Sequence, residues 1–188
     1  FIKSKVTKLY RNDEEKGQDI IWTDPTGGDT RAQFIYREGQ PTLSFYGYEW
    51  GGVHEENGRN VWYVNGENPQ EGEFLYNGRG ATYDFTEAEF VILGDGTPDV
   101  YGGLNTDVEY KGITLALNFN YKIGGKLYDG AYKDMADDGY YWERTRSQHY
   151  YDNMWTPENT GGSLPKLDGN DLTDPQQYSS RQMHDASF

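Results

Sequence analysis

The sequence contains no cysteine, which removes disulfides, thiolate metal sites and cysteine nucleophiles together. That absence assigns no compartment, because disulfide-free proteins occur in reducing and oxidising environments alike. Positive charge is scarce: 17 Lys and Arg stand against 31 Asp and Glu, for a net charge of −14. With no basic stripe, binding to nucleic acid through its phosphates is not expected, and an anionic membrane surface would repel the chain. No apolar run approaches the ~18 residues a transmembrane helix needs. Apolar residues other than glycine make up 35%, too little for a large conventional core. Helical periodicity is poor throughout, and only Ala131–Asp138 could turn helically.

Aromatics and glycines are what remain. There are 5 Trp, 17 Tyr and 8 Phe, or 16% of the chain, and 24 Gly. Disordered chains are poor in aromatics, so an ordered fold of strands and long loops is expected. Glycine pairs at Gly27-Gly28, Gly51-Gly52, Gly102-Gly103, Gly124-Gly125 and Gly161-Gly162 punctuate it. The chain starts at Phe1 in mid-pattern, with neither an initiating Met nor a signal peptide, and reads as a piece of something longer.

The sharpest local signal is a hairpin. From Val100 the even positions read Val100, Gly102, Leu104, Thr106, Val108 and Tyr110, while the odd ones include Asn105, Asp107 and Glu109. After Lys111-Gly112 the odd positions read Ile113, Leu115, Leu117, Phe119, Tyr121 and Ile123, against Thr114, Ala116, Asn118, Asn120 and Lys122. A period of two sustained through both arms is a strand signature. A two-residue turn pairs Tyr110 with Ile113 and puts both apolar sides on one face. Eleven residues at about 3.4 Å span roughly 37 Å, which a tilt of about 45° projects to roughly 26 Å. The apolar band of an outer-membrane barrel is about 25 Å tall. The alternative is a long hairpin in a soluble sheet, although such strands average about five or six residues.

Elsewhere the pattern is weaker. Phe1–Tyr10 is a polar candidate strand, Ala32–Arg37 and Thr42–Trp50 are aromatic-rich extended segments, and Glu56-Asn57-Gly58 is a hairpin-turn signal. After Gly125 no convincing strand is visible. A loop of about 60 residues is far longer than ordinary connections, and its aromatics favour order against a partner or ligand.

Five motifs in order resemble the SusC/RagA family of TonB-dependent outer-membrane transporters. Gly39-Gln40-Pro41 with Ser44-Phe45-Tyr46-Gly47-Tyr48 and Gly52 is similar to "GxPxxxFYGY…G". Gly94, Pro98 and Tyr101-Gly102-Gly103-Leu104-Asn105, with Tyr110-Lys111-Gly112-Ile113-Thr114-Leu115, resemble that family's "GGxN…YKGFDL" hairpin. Gly124-Gly125 and Leu127-Tyr128-Asp129 continue it. Trp155-Thr156-Pro157-Glu158-Asn159 with Pro165 resembles "RWTPENP…P", and Ser179-Ser180-Arg181 with Asp185 and Ser187-Phe188 resembles "SSRxxxDGSFLRLKN", which opens the next strand.

The resemblance implies an all-β fold, part of a 22-stranded antiparallel transmembrane β-barrel with long extracellular loops. Residues 1–188 would be a partial barrel, with the transmembrane hairpin at 100–123 and a long extracellular loop at 125–188; the plug domain and TonB box would lie outside this stretch. It implies import of oligosaccharides or peptides with a SusD-like surface lipoprotein, TonB acting through the plug, and the outer membrane of a Gram-negative, Bacteroidetes-type bacterium. Val100, Leu104, Val108, Leu115, Leu117 and Phe119 would meet lipid. Asp107, Glu109, Asn118, Asn120 and Lys122 would face the lumen. Tyr140, Tyr141, Trp142 and Trp155 are candidates for contact with cargo or partner, and Tyr150 and Tyr151 would add contact area.

No catalytic group, cofactor or metal is expected. His54, His149 and His184 are too far apart for zinc-type spacing and read as solvated loop residues. Gly94-Asp95-Gly96 and Asp99 fall short of the six to eight oxygen ligands calcium prefers. Acid residues are plentiful, but nothing selects a pair for glycoside hydrolysis. Two other classes are weighed: a secreted β-rich carbohydrate-binding module, which would fold alone in water, and a glycan-active enzyme, which would need a cleft with two placed carboxylates.

Overall fold

The computed structural model describes residues 4–10, 12, 14, 16–23, 32–64, 72–139, 143–168 and 178–188. The described chain is mostly β and every strand-to-strand ladder is antiparallel. Strands β9 (Val100–Tyr110) and β10 (Ile113–Ile123) form the long hairpin, in register from Tyr110↔Ile113 through Leu104↔Phe119 to Val100↔Ile123. Both turn residues are left-handed, Lys111 at φ 51° and Gly112 at φ 82°. That is the primed turn whose twist matches the flanking strands.

Two four-stranded sheets of short strands lie before the hairpin. The first runs β1 (Ile20–Thr23), β2 (Gln33–Tyr36), β3 (Ser44–Tyr48) and β8 (Phe90–Asp95) in that spatial order. Aromatic rings hold it across strands, Trp22 on Phe34 on Phe45, and Tyr46 and Tyr48 on Phe90. The second has the order β4 (Trp50–Val53), β5 (Asn60–Tyr63), β7 (Arg79–Thr82) and β6 (Phe74–Tyr76). Val61, Trp62 and Ala81 form its buried centre, and the Glu56-Asn57-Gly58 turn joins β4 to β5 as its sequence predicts. Of the candidate strand Phe1–Tyr10, residues 1–3 lie outside the described residues, and among 4–10 a single bridge forms, Lys5 with Pro41, rather than a strand.

Gly47 explains its place in the motif. A Cβ there would lie 1.7 Å from the Tyr178 carbonyl oxygen, because the chain at 178–182 passes directly over β3 and Tyr48 N–H donates to that carbonyl at 2.7 Å. Only glycine permits so close a backbone approach.

The segment from 125 onward corrects the expectation that it holds no strand. β11 (Lys126–Tyr128) pairs antiparallel with β12 (Met183–Asp185), so the excursion closes on itself. Three-residue strands 55 positions apart carry no readable period, which is why the pattern search passed over them. Between them lie α1 (Gly130–Met135) and α2 (Gln148–Asn153), capped by Asp129 and Ser147 side chains that accept from the Tyr132 and Tyr150 amides. Tyr150, Ala136 and Leu164 form a small core beneath them, with Tyr132 and Met154 packed on it.

Candidate functional site

The hairpin has two chemically distinct faces. Val100, Leu104, Val108, Leu115, Leu117 and Phe119 share one, with Tyr110 and Ile113 at the turn end and Tyr121 over Gly102 near the other. This face is not covered by the described chain: Leu104 is 63% exposed and Phe119 57%. Soluble proteins rarely expose a contiguous apolar strip of this length. On the opposite face Asp107, Glu109, Asn118, Asn120 and Lys122 come together with Tyr101, Asn105 and Thr114. Asn118 faces Asn105 across the ladder, Asn120 folds over Gly103, and the two carboxylates sit nearest the turn.

The hairpin's edges are as informative as its faces. Among the described residues, β9 and β10 pair as a sheet only with each other. At the end remote from the turn, however, Lys122 and Phe188 exchange both backbone hydrogen bonds at 2.9 Å. The chain leaving β12 therefore runs alongside β10. Unpaired strand edges of this length ask for neighbouring strands.

The other candidate residues divide. Tyr140, Tyr141 and Trp142 lie outside the described residues. Trp155 is half-buried: its indole N–H donates to the Glu55 carbonyl at 2.7 Å, and its ring lies against Gly58, where a Cβ would come within 2.5 Å. It packs on the β4–β5 turn. Tyr150, expected to supply contact area, is instead 0% exposed, because its hydroxyl donates to the Pro165 carbonyl at 2.8 Å and reaches Asp138. Burial and the Asp138 charge push that hydroxyl upward, so it remains a donor. Tyr151 is exposed.

Asp138 is a centre that pattern reading missed. Arg181 grips both of its oxygens at 2.7 and 2.8 Å, and Asn60 donates to it at 2.6 Å. Arg181 also donates to the Ala136 carbonyl at 2.7 Å and lies over the Trp50 ring. Burial pushes the Asp138 carboxyl up, while Arg181 and the donors from Asn60 and Tyr150 draw it down. Beside it, Arg146 pairs with the buried Asp137 at 3.2 Å. Removing one partner of such a buried pair typically costs about 3–5 kcal/mol. The partners lie 78 and 43 residues from Asp138, so the only sequence signal was Arg181 within Ser179-Ser180-Arg181.

Two of the three histidines also differ from expectation. His54 sits among Phe74, Tyr76 and Tyr83, and His184 meets the Tyr132 ring edge-on; both are half-buried rather than solvated. Only His149 is exposed. Among the described residues no three His, Asp or Glu side chains are grouped to hold a metal ion. A small cleft between β3, β8 and β11 is lined, among the described residues, by Gln33, Phe45, Tyr46, Leu93, Tyr128, Tyr178 and Met183, none of them a carboxylate. Burial holds its Tyr128 hydroxyl at about 12, too high for a general base at neutral pH.

No family model matches the chain. It is 27% identical over 189 residues, covering 99% of its length, to a TonB-dependent receptor, P3, of Formosa agariphila. Among solved structures it is similar to the RagAB peptide transporter, with 19% identity and a TM-score of 0.57. It is also similar to the RagAB peptide importer in an "open-open" state, with 18% identity and a TM-score of 0.62; each match covers 96% of this chain. The chain spans 17% of the receptor's length and 20% of each transporter chain. The likeness to TonB-dependent transporters read from the five motifs is thus matched in sequence and in fold.

Proposed function

We propose that this chain is part of a TonB-dependent outer-membrane transporter, in which β9 and β10 are two membrane-spanning strands of the barrel wall. The observation that carries the reading is the two-faced hairpin, an apolar strip of eleven-residue strands left bare on one side and polar on the other. Bare apolar side chains are stable where lipid replaces water, and a height of roughly 26 Å after tilting suits the hydrocarbon band. Tyr110 and Tyr121 near the ends fit the aromatic girdles that flank such a band. Asp107, Glu109, Asn118, Asn120 and Lys122 then line the lumen, where water or a plug domain supplied by another part of the protein satisfies them.

The two-residue turn suits the periplasmic side, where barrel turns are short. The 126–185 excursion joins the hairpin at the opposite end and would lie outside the cell. Uptake of an oligosaccharide or a peptide, with a SusD-like lipoprotein as partner and TonB as the source of force, follows from the family likeness. Among the described residues of the excursion, Tyr151 is an exposed aromatic that could meet partner or cargo; Trp155 contributes through packing.

Nitroxides attached at Leu115, Leu117, Asn118 and Asn120 in the full-length protein in bilayers test the reading. The two leucine positions should be open to lipid-soluble oxygen and the two asparagine positions to an aqueous nickel chelate. Uniform aqueous access would point instead to a soluble carbohydrate-binding module and end the transporter reading.

A further inference from the structure

The turn of the long hairpin holds a cation on the side away from its acids. Tyr110 and Ile113 form the last rung of the ladder, on the apolar face with Val108 and Leu115, and both are exposed. Asp107 and Glu109 lie on the opposite face. Lys111 follows Glu109 by two residues, yet its ammonium lies over the Tyr110 ring, 5.2 Å from the centroid, and so on the apolar side. Among the described residues that ammonium forms no ion pair. The ring holds it instead, through the attraction of a cation for a π face. Backbone preference does not account for lysine at this position. Lys111 is left-handed at φ 51°, where asparagine, aspartate or glycine is favoured in a two-residue hairpin turn. What lysine adds is a positive charge at the edge of the apolar strip.

We propose that Lys111 and Tyr110 form a phospholipid-binding site at the hairpin turn, in which the Lys111 ammonium pairs with the phosphodiester of a headgroup. The inference rests on the reading of β9 and β10 as membrane-spanning strands. The Tyr110–Ile113 rung closes the apolar strip, so a hydrocarbon band about 25 Å tall ends at its level, and the layer beyond it carries phosphates. A cation drawn to the lipid side of the strand meets that layer, whereas one on the polar side would meet the lumen. A lysine can lay its methylenes along apolar surface while its head stays in the interface, and an ammonium donating to a phosphate makes a charge-assisted hydrogen bond. The net charge of −14 does not oppose this contact. Asp107 and Glu109 are on the other face, and the phosphodiester of a zwitterionic lipid supplies the counter-charge without an anionic membrane surface.

The test uses the full-length protein with isotope-labelled lysine Nζ, in phosphatidylcholine bilayers and phosphate-free buffer. Solid-state NMR reads the dephasing of each Nζ signal by nearby lipid phosphorus. Subtracting the spectrum of Lys111→Asn, which the turn backbone tolerates, isolates the Lys111 signal, and Lys122→Gln isolates Lys122 on the polar face in the same way. The Lys111 signal should be dephased and the Lys122 signal should not. Tyr110→Leu, which keeps an apolar side chain but removes the ring, should weaken the dephasing of Lys111. In bilayers of a phosphate-free galactolipid with inorganic phosphate in the buffer, the Lys111 dephasing should vanish; its persistence there would make free phosphate the ligand and overturn the proposal. A Lys111 signal left undephased in phosphatidylcholine, equal dephasing of Lys122, or dephasing indifferent to Tyr110→Leu would overturn it as well. A nitroxide at Leu115 separates the two levels of failure. Open to lipid-soluble oxygen beside an undephased Lys111, it would sink the headgroup site and leave the membrane-spanning reading standing; open only to an aqueous nickel chelate, it would sink both.

Discussion

Leu117→Arg is the substitution that tests the lipid-facing strip most directly. Leu117 pairs with Thr106 and lies four residues from the turn end of β10 and six from its other end. At about 3.4 Å per residue and a tilt of about 45°, it sits roughly 10 Å in from one boundary of a band about 25 Å tall, close to mid-depth. Arginine on the lipid face near the midplane destabilises a barrel by about 2–4 kcal/mol, falling to about 0–1 near the interface. Leu117→Arg should therefore cost about 2–4 kcal/mol, and Ile113→Arg, beside the turn, no more than about 1. Asn118→Arg, one residue further on but on the polar face, should cost far less than Leu117→Arg because its head stays in water. The assay is reversible denaturant unfolding of the full-length protein in bilayers, with the three variants compared at one lipid composition. Equal costs at 117 and 118 would refute a two-sided strand, and a cost at 113 matching that at 117 would refute the depth assignment.

Other expectations follow from single contacts. Gly47→Ala should disrupt the crossing of β3 by residues 178–182, since its Cβ would lie 1.7 Å from the Tyr178 carbonyl oxygen; proteolysis near 178–182 should accelerate strongly, and unchanged resistance would contradict it. At the hairpin turn, Gly112→Ala should cost about 1–2 kcal/mol for its left-handed backbone, whereas Lys111→Asn should be neutral or stabilising because asparagine tolerates that conformation; thermal unfolding of the two variants reads the difference. Arg79 holds Glu49 with two hydrogen bonds of 2.8 Å and depresses its pKa from 4.5. A depressed carboxyl contributes stability fully above its unfolded pKa and loses it as pH falls through the folded value. The stability gap between wild type and Glu49→Gln should therefore be present at neutral pH, begin to shrink as pH falls through the ordinary carboxylate range, and disappear once pH lies below the depressed folded value; a gap that persists in strong acid would exclude the ion pair as its source.

What the sequence by itself determined is the hairpin. Its strand bounds, the Lys111-Gly112 turn and the apolar and polar faces all follow from a period-two pattern and one tight turn, because each ladder partner is fixed by the residues between it and the turn. The Glu56-Asn57-Gly58 turn was legible for the same local reason, and motif order alone indicated the likeness to TonB-dependent transporters. The tertiary structure decided everything that joins distant segments. β11 and β12 are too short to show a period, and each exists because the other lies beside it. Tyr150 read as a contact aromatic, but it became the buried donor to Pro165 and Asp138. The Asp138 cluster draws on Asn60 and Arg181, and nothing in their neighbouring residues marks them as partners. Even Gly47, visible as part of a motif, had no stated reason until residues 178–182 were seen to cross it. Local backbone geometry is written in spacing, whereas a buried charge or a backbone crossing depends on which long-range packing excludes water, and only the folded chain supplies that.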